Sequence, residues 1–90
     1  MIRVVLYGLG PIGAMIARVA VERSDLQVVG AVDIDEAKIG KDVGRVIGLD
    51  RDLGVLVTSE ALATLRVTHP DVVIHATGWV TRSEIGRAHV

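Results

Sequence analysis

Six residues near the start of the chain have the spacing of a phosphate-binding loop. They follow the pattern G-x-G-x-x-G and are Gly8, Leu9, Gly10, Pro11, Ile12 and Gly13. In this pattern the first glycine permits a tight turn, the second lets the backbone approach a pyrophosphate, and the third lets a helix pack close to a strand. Pro11 has no N–H, so the donors to a phosphate would be chiefly Gly10, Ile12 and Gly13.

A carboxylate follows the loop at the distance that dinucleotide chemistry requires. Asp33 comes about 20 residues after Gly13 and ends a second apolar segment. Such a side chain can accept hydrogen bonds from both hydroxyls of an adenosine ribose and would repel a 2′-phosphate, which favours NAD. Lys38 and Lys41 could neutralise that phosphate, and Asp35 could share the role of Asp33, so NADP stays open as the cofactor.

The glycine pattern by itself is weak, because any glycine-rich turn can match it by chance. It gains weight from its place between an apolar strand and an amphipathic helix, and from the carboxylate that follows. We therefore predict a dinucleotide site. The alternative is a glycine turn that only connects strand to helix, with Asp33 as a solvated strand end.

Alternating strand and helix patterns surround these residues and must position them. Apolar, β-branched segments predict four strands, and helical periodicity or capping residues predict three helices between them. In chain order the predicted elements are strand 2–7, helix 11–24, strand 26–32, a short helix within 42–47, strand 55–58, a helix from an N-cap at Ser59 to about Arg66, and strand 72–76.

This order predicts an α/β fold of the Rossmann type, a doubly wound parallel sheet in the order 3-2-1-4 that is truncated after its fourth strand. In the first helix, the periodicity predicts a buried face made of Ile12, Met15, Ile16, Val19 and Ala20. In the third helix, Leu62 and Leu65 are expected to turn inward.

The end of the fourth predicted strand should contribute to the same site. Strands one and four flank the point where the strand order reverses, and ligands bind beyond their carboxyl ends. Ala76, Thr77 and Gly78 should thus line the cofactor cleft, unless they form an ordinary strand-to-helix turn. His75 precedes them, but a packed strand histidine is the more common case, so we assign no catalytic residue.

Composition and charge exclude several other classes of protein. The chain has 90 residues, a formal net charge of −1 and no cysteine. There is no basic cluster for nucleic acid or an anionic membrane, no disulfide or thiolate, and no histidine spacing typical of a metal site. The first apolar stretch, residues 4–17, is too short and too interrupted by glycine to span a bilayer. We therefore expect a cytoplasmic protein with no nucleic-acid or membrane partner.

Beyond the loop, the carboxylate and the fourth strand, the sequence resembles the N-terminal domain of 2,4-diaminopentanoate dehydrogenase, within the dihydrodipicolinate reductase-like group. The matching segments are "VVLYGLGPIG", "LQVVGAVDIDEAKIGKDVGRVIGL", "LGVLVT" and "PDVVIHATG". The resemblance implies NAD(P)-dependent oxidative deamination of a small amino acid. It implies cofactor contacts at residues 8–13, at Asp33 and at residues 76–78, and a second domain that binds substrate. We expect the full-length parent to be a homo-oligomer.

Two other functions stay open. Dihydrodipicolinate reductase itself usually has a G-x-x-G-x-M-G loop, with a phenylalanine and a threonine after the fourth strand, where this chain has "GLGPIG" and "HATG". A regulatory NAD-sensing domain would also combine the loop with an acid after strand two, although "DIDEAKIGKDVGRVIGL" argues against it.

The last residues suggest that the domain is incomplete. Residues 85–90, "IGRAHV", can be encoded by ATC GGA AGA GCA CAC GTC, which matches the read-through sequence of a common short-read sequencing adapter. We also expect a fourth strand with no neighbour to leave an exposed sheet edge. Residues 1–83 are therefore interpreted as an incomplete dinucleotide-binding domain, and residues 84–90 as a non-native tail.

Overall fold

The fold alternates strands and short helices along the chain. The computed structural model describes residues 1–75, 78–81 and 83, with side chains at 78–80 left out of the description. The elements are β1 (Ile2–Tyr7), α1 (Pro11–Glu22), β2 (Leu26–Val32), α2 (Val43–Val46), β3 (Val57–Thr58), α3 (Ala61–Thr68), β4 (Val72–His75) and β5 (Gly78–Thr81).

The strands form one sheet in the order β3-β2-β1-β4-β5. The first four are parallel, which confirms the predicted 3-2-1-4 order and the α/β fold class. At the centre, β1 carries Val4, Val5 and Leu6, each at most 2% exposed. Such an uninterrupted apolar run is typical of a parallel strand that is covered on both faces.

Helices cover the two faces of this sheet. On one face, α1 and α2 enclose the larger core, where Leu6, Ala17 and Ile47 are buried together. On the other face, α3 packs through Ala61 and Leu65 against a smaller core that contains Val5 and Val73. The two cores place the glycine turn between β1 and α1 at the carboxyl edge of the sheet.

The sheet does not end at β4, which corrects the expectation of a bare fourth strand. β5 pairs antiparallel with β4, from Val72 opposite Thr81 to His75 opposite Gly78. The sequence analysis expected every connection to be too long for a hairpin and looked for a helix after Gly78. The following residues are strand formers, so the chain returns along the sheet edge instead.

The buried face of α1 also differs from the prediction. The residues turned to the sheet are small ones, Gly13, Ala14, Ala17 and Ala20. Ile12, Met15 and Val19 are instead 54–64% exposed. Small side chains let the helix axis approach the strands closely, and this close approach prevails over the larger apolar residues one position away.

Three local expectations about β3 and α3 are also wrong. β3 is shorter than predicted and starts at Val57. The N-cap of α3 is Glu60, not Ser59, and it makes no side-chain capping bond; the Glu60 N–H instead donates to the Thr58 hydroxyl at 3.0 Å. Leu62 is 51% exposed, whereas Leu65 packs inward as expected.

Candidate functional site

The glycine loop has the conformation that its sequence predicts. Gly8 directly follows β1 and has φ +88°, in the left-handed region that favours glycine. Its N–H donates to the Val32 carbonyl at 2.8 Å, so the turn is tied to the end of β2. The chain then enters α1 with Pro11 as its first residue, where a proline loses no helical hydrogen bond.

The other two glycines of the loop meet opposite surroundings. A Cβ on Gly13 would lie 2.2 Å from the Gly8 carbonyl oxygen, so the start of α1 can pack on the turn only without a side chain. A Cβ on Gly10 would meet nothing within 4 Å. The backbone at Gly10 is therefore open to an approaching ligand, as the second glycine of a pyrophosphate-binding loop must be.

The start of α1 supplies hydrogen-bond donors and a partial positive charge. Gly10 is the N-cap and makes no side-chain capping bond, and the first turn contains no acidic residue. The Ala14 N–H donates to the Gly10 carbonyl at 2.7 Å, while helical geometry gives the N–H groups of Ile12 and Gly13 no acceptor within the helix. These features fit a phosphate group at the helix N-terminus.

Asp33 lies at the end of β2 and contacts the glycine loop directly. Its Oδ2 accepts the Leu9 N–H at 2.7 Å, and its Oδ1 accepts the Asp35 N–H at 2.9 Å. The side chain is only 11% exposed. Burial by itself raises the pKa of this carboxyl, but the hydrogen bonds from Asp35 and Leu9 and the charge of Lys38 together hold the pKa below its usual value.

A lysine that the sequence analysis considered only as a possible phosphate ligand joins this arrangement. Lys38 Nζ donates to the Leu9 carbonyl at 2.8 Å. It also lies 3.9 Å from Asp33 Oδ2 and 3.7 Å from Asp35 Oδ2. A lysine five positions after the acid gave a signal of proximity, but its contact with the loop depends on the turn at residues 35–41.

The end of β4 lies beside the same loop. Tyr7 in β1 is in register with His75 in β4, so the two strands end side by side at the glycine turn. Gly78 begins β5 and pairs with His75, which keeps its backbone at this edge. Ala76 and Thr77 lie outside the described residues, so their assignment to the cleft stays a prediction.

An apolar groove lies away from the glycine loop, between α1 and β4. It has a volume of about 850 Å³ and includes Met15, Val19, Val72 and Ile74 in its lining. None of the six loop residues lines it. The groove is therefore separate from the candidate cofactor site, although α1 contributes to both.

Comparison with known proteins identifies the family of this arrangement. Residues 2–85 match the family model described as "Dihydrodipicolinate reductase, N-terminus". The chain belongs to this family. The match includes the loop, Asp33 and all the described strands, and it identifies the chain as the NAD(P)-binding N-terminal domain of a dihydrodipicolinate reductase-like oxidoreductase.

Relatives of this domain carry the name amine dehydrogenase. One from Streptomyces virginiae is 34% identical over 84 residues, which are 93% of this chain and 23% of that protein. The solved structure of amine dehydrogenase from Mycobacterium smegmatis is similar with a TM-score of 0.76 at 39% identity, over 80% of this chain and 21% of the other. The chain thus spans less than a quarter of the length of these relatives.

Proposed function

We propose that this chain is the cofactor-binding domain of an NAD(P)-dependent dehydrogenase that oxidatively deaminates a small diamino acid, in the manner of 2,4-diaminopentanoate dehydrogenase. The observation that carries the proposal is its 34–39% identity to two proteins named amine dehydrogenase. The glycine loop that packs on Asp33 supports the cofactor part of it.

The proposed cofactor contacts follow the carboxyl edge of the sheet. The Gly10 backbone and the first turn of α1 would hold the pyrophosphate, and the remaining lone pairs of Asp33 would accept the ribose hydroxyls. The end of β4 would flank the nicotinamide half. The proposed contacts are Gly8, Leu9, Gly10, Pro11, Ile12, Gly13, Asp33, Ala76, Thr77 and Gly78.

The proposed reaction removes a hydride and a proton from a carbon that carries an amine. The bound nicotinamide supplies the hydride acceptor, and the resulting imine adds water and releases ammonia to leave a ketone. We propose that substrate binding and acid–base groups belong to a second domain of the parent, which would be a homo-oligomer. The present chain alone would bind the cofactor weakly and have no turnover.

The family model gives a second candidate, dihydrodipicolinate reductase itself. The two functions can be separated with the full-length parent. We expect reduction of NAD or NADP with 2,4-diaminopentanoate and no oxidation of NADH or NADPH with dihydrodipicolinate. The reverse pattern would establish the reductase, and cofactor binding without turnover of either substrate would favour an NAD-sensing domain.

The parent gene can be recovered by sequencing through the codons for Arg82 and Ser83 with primers outside the original read. We propose that the native frame continues into a substrate domain and that residues 84–90 are adapter sequence. A native gene that encodes "EIGRAHV" and then stops would contradict this proposal. It would leave a stand-alone dinucleotide-binding module.

A further inference from the structure

Lys38 connects the segment after β2 to the glycine loop. Its ammonium donates to the Leu9 carbonyl at 2.8 Å, on the residue whose N–H is bound by Asp33. The same ammonium faces Asp33 and Asp35 at 3.9 and 3.7 Å. A lysine ammonium has three donors, so one hydrogen bond and two close ion pairs use its full capacity.

The backbone around Lys38 holds the side chain in this place. The Lys38 N–H donates to the Asp35 carbonyl at 2.9 Å, and the Gly40 N–H donates to the Val57 carbonyl at 2.8 Å. The Asp35 side chain in turn accepts the Ala37 N–H at 3.0 Å. The Lys38 side chain is only 26% exposed, so its ammonium belongs to the wall of the site.

This arrangement leaves Asp33 able to bind a ribose diol. A carboxylate offers about four lone-pair positions, and the N–H groups of Leu9 and Asp35 occupy two of those on Asp33. Lys38 fixes Leu9 from its carbonyl side while Asp33 fixes it from its N–H side. The orientation of the carboxylate relative to the loop therefore depends on Lys38.

The charges at this point disfavour a 2′-phosphate. Asp33 and Asp35 together carry two negative charges against the one positive charge of Lys38, and Glu36 adds another carboxylate to the same exposed turn. A phosphate monoester carries about −1.5 to −2 at neutral pH. It would meet a net negative surface, because the nearest cation is already paired.

We propose that Lys38 is a positioning and specificity residue, which holds Asp33 against the glycine loop so that the site prefers a dinucleotide with a free adenosine 2′-hydroxyl. The proposal rests on the dinucleotide site proposed above. It differs from the expectation that Lys38 neutralises a 2′-phosphate, because its ammonium is directed at Leu9 and the two carboxylates.

The test compares the dissociation constants of NADH and NADPH for the wild-type chain, Lys38→Met and Lys38→Arg, followed by amide resonances in NMR titrations. We expect the wild type to prefer NADH. Lys38→Met should weaken NADH binding about tenfold, the typical effect of one charge-assisted hydrogen bond, and weaken NADPH binding less, so that the preference narrows. Lys38→Arg keeps a charged donor and should restore most of the NADH affinity.

Lys41→Met is the matched control, since Lys41 is an exposed cation three residues away. It should change either constant by less than about threefold. Equal NADH binding by wild type and Lys38→Met would overturn the proposal, and so would a larger loss of NADPH than of NADH, or an equal loss in Lys41→Met. A wild-type chain that binds neither dinucleotide would contradict the proposed function itself, and this proposal with it.

Discussion

Two glycines three residues apart have different tasks in the loop. At Gly13 the missing side chain allows helix and turn to touch, since a Cβ would lie 2.2 Å from the Gly8 oxygen. At Gly10 it leaves open space beside the backbone. The motif in the sequence predicted both tasks, because each follows from how the backbone runs through the loop.

Alanine substitutions should separate these tasks. Gly13→Ala should lower the free energy of unfolding by about 2 kcal/mol, because a clash of about 3 kcal/mol exceeds the helix propensity gained, about 1 kcal/mol. Gly10→Ala should lower it by less than about 1 kcal/mol but weaken NADH binding at least about tenfold, because the methyl group occupies the ligand's space. Urea unfolding and NMR titration measure the two effects. Equal stability losses in both variants would contradict the assignment.

The pH dependence of stability should report on Asp33. Its pKa in the folded chain is lowered from the ordinary value of 3.8, so the carboxylate stabilises the fold above that value and this stabilisation is lost as pH falls through the folded pKa. Asp33→Asn should therefore reduce stability at pH 7 and flatten the acid loss below about pH 4. Urea unfolding at several pH values tests this. Parallel curves for the two proteins would show that Asp33 does not contribute.

At the scale of elements, the sequence predicted which segments are strands but not how α1 faces the sheet. The strands are buried apolar runs, which local composition reveals. In α1, Ala17 and Met15 are both apolar, and only the close approach of helix to sheet selects the small one for burial. β5 was missed for a similar reason, because its pairing depends on the free edge of β4.

Gly30 shows the same close approach on the opposite face, where α3 crosses β2. A Cβ there would lie 2.8 Å from the Thr64 methyl and 3.2 Å from a Val5 methyl. Gly30→Ala should lower the free energy of unfolding by about 1–3 kcal/mol. Adding Thr64→Ser removes the nearest methyl, keeps the hydroxyl bonded to Glu60, and should recover part of the loss in a double-mutant cycle. Strictly additive effects would contradict this contact.

For the molecule as a whole, the apolar face of α1 leaves a large groove open beside β4. Its lining includes Met15 and Val19, which are 54% and 64% exposed. Exposed apolar surface of this kind is uncommon in an isolated stable domain. Within the part of the chain that the structure describes, no helix is long and apolar enough to cross a membrane.

The groove should bind a hydrophobic dye such as anilinonaphthalene sulfonate when the 90-residue chain is studied alone. Val19→Lys places a charge in the groove and should reduce the dye fluorescence. Val67→Lys is the control, because Val67 is 80% exposed on α3 and does not line the groove. Equal fluorescence in all three proteins would show that the dye does not bind in the groove.

The central claim is that a dinucleotide binds across the glycine loop and Asp33. The most direct measurement is a titration of the ¹⁵N-labelled chain with NADH, in which every perturbed amide is located. We expect the shifts to concentrate at Leu9, Gly10, Gly13 and Asp33, and to be much smaller in Gly10→Ala at the same concentrations. No perturbation at millimolar NADH, or shifts confined to the apolar groove and unchanged in Gly10→Ala, would contradict the claim.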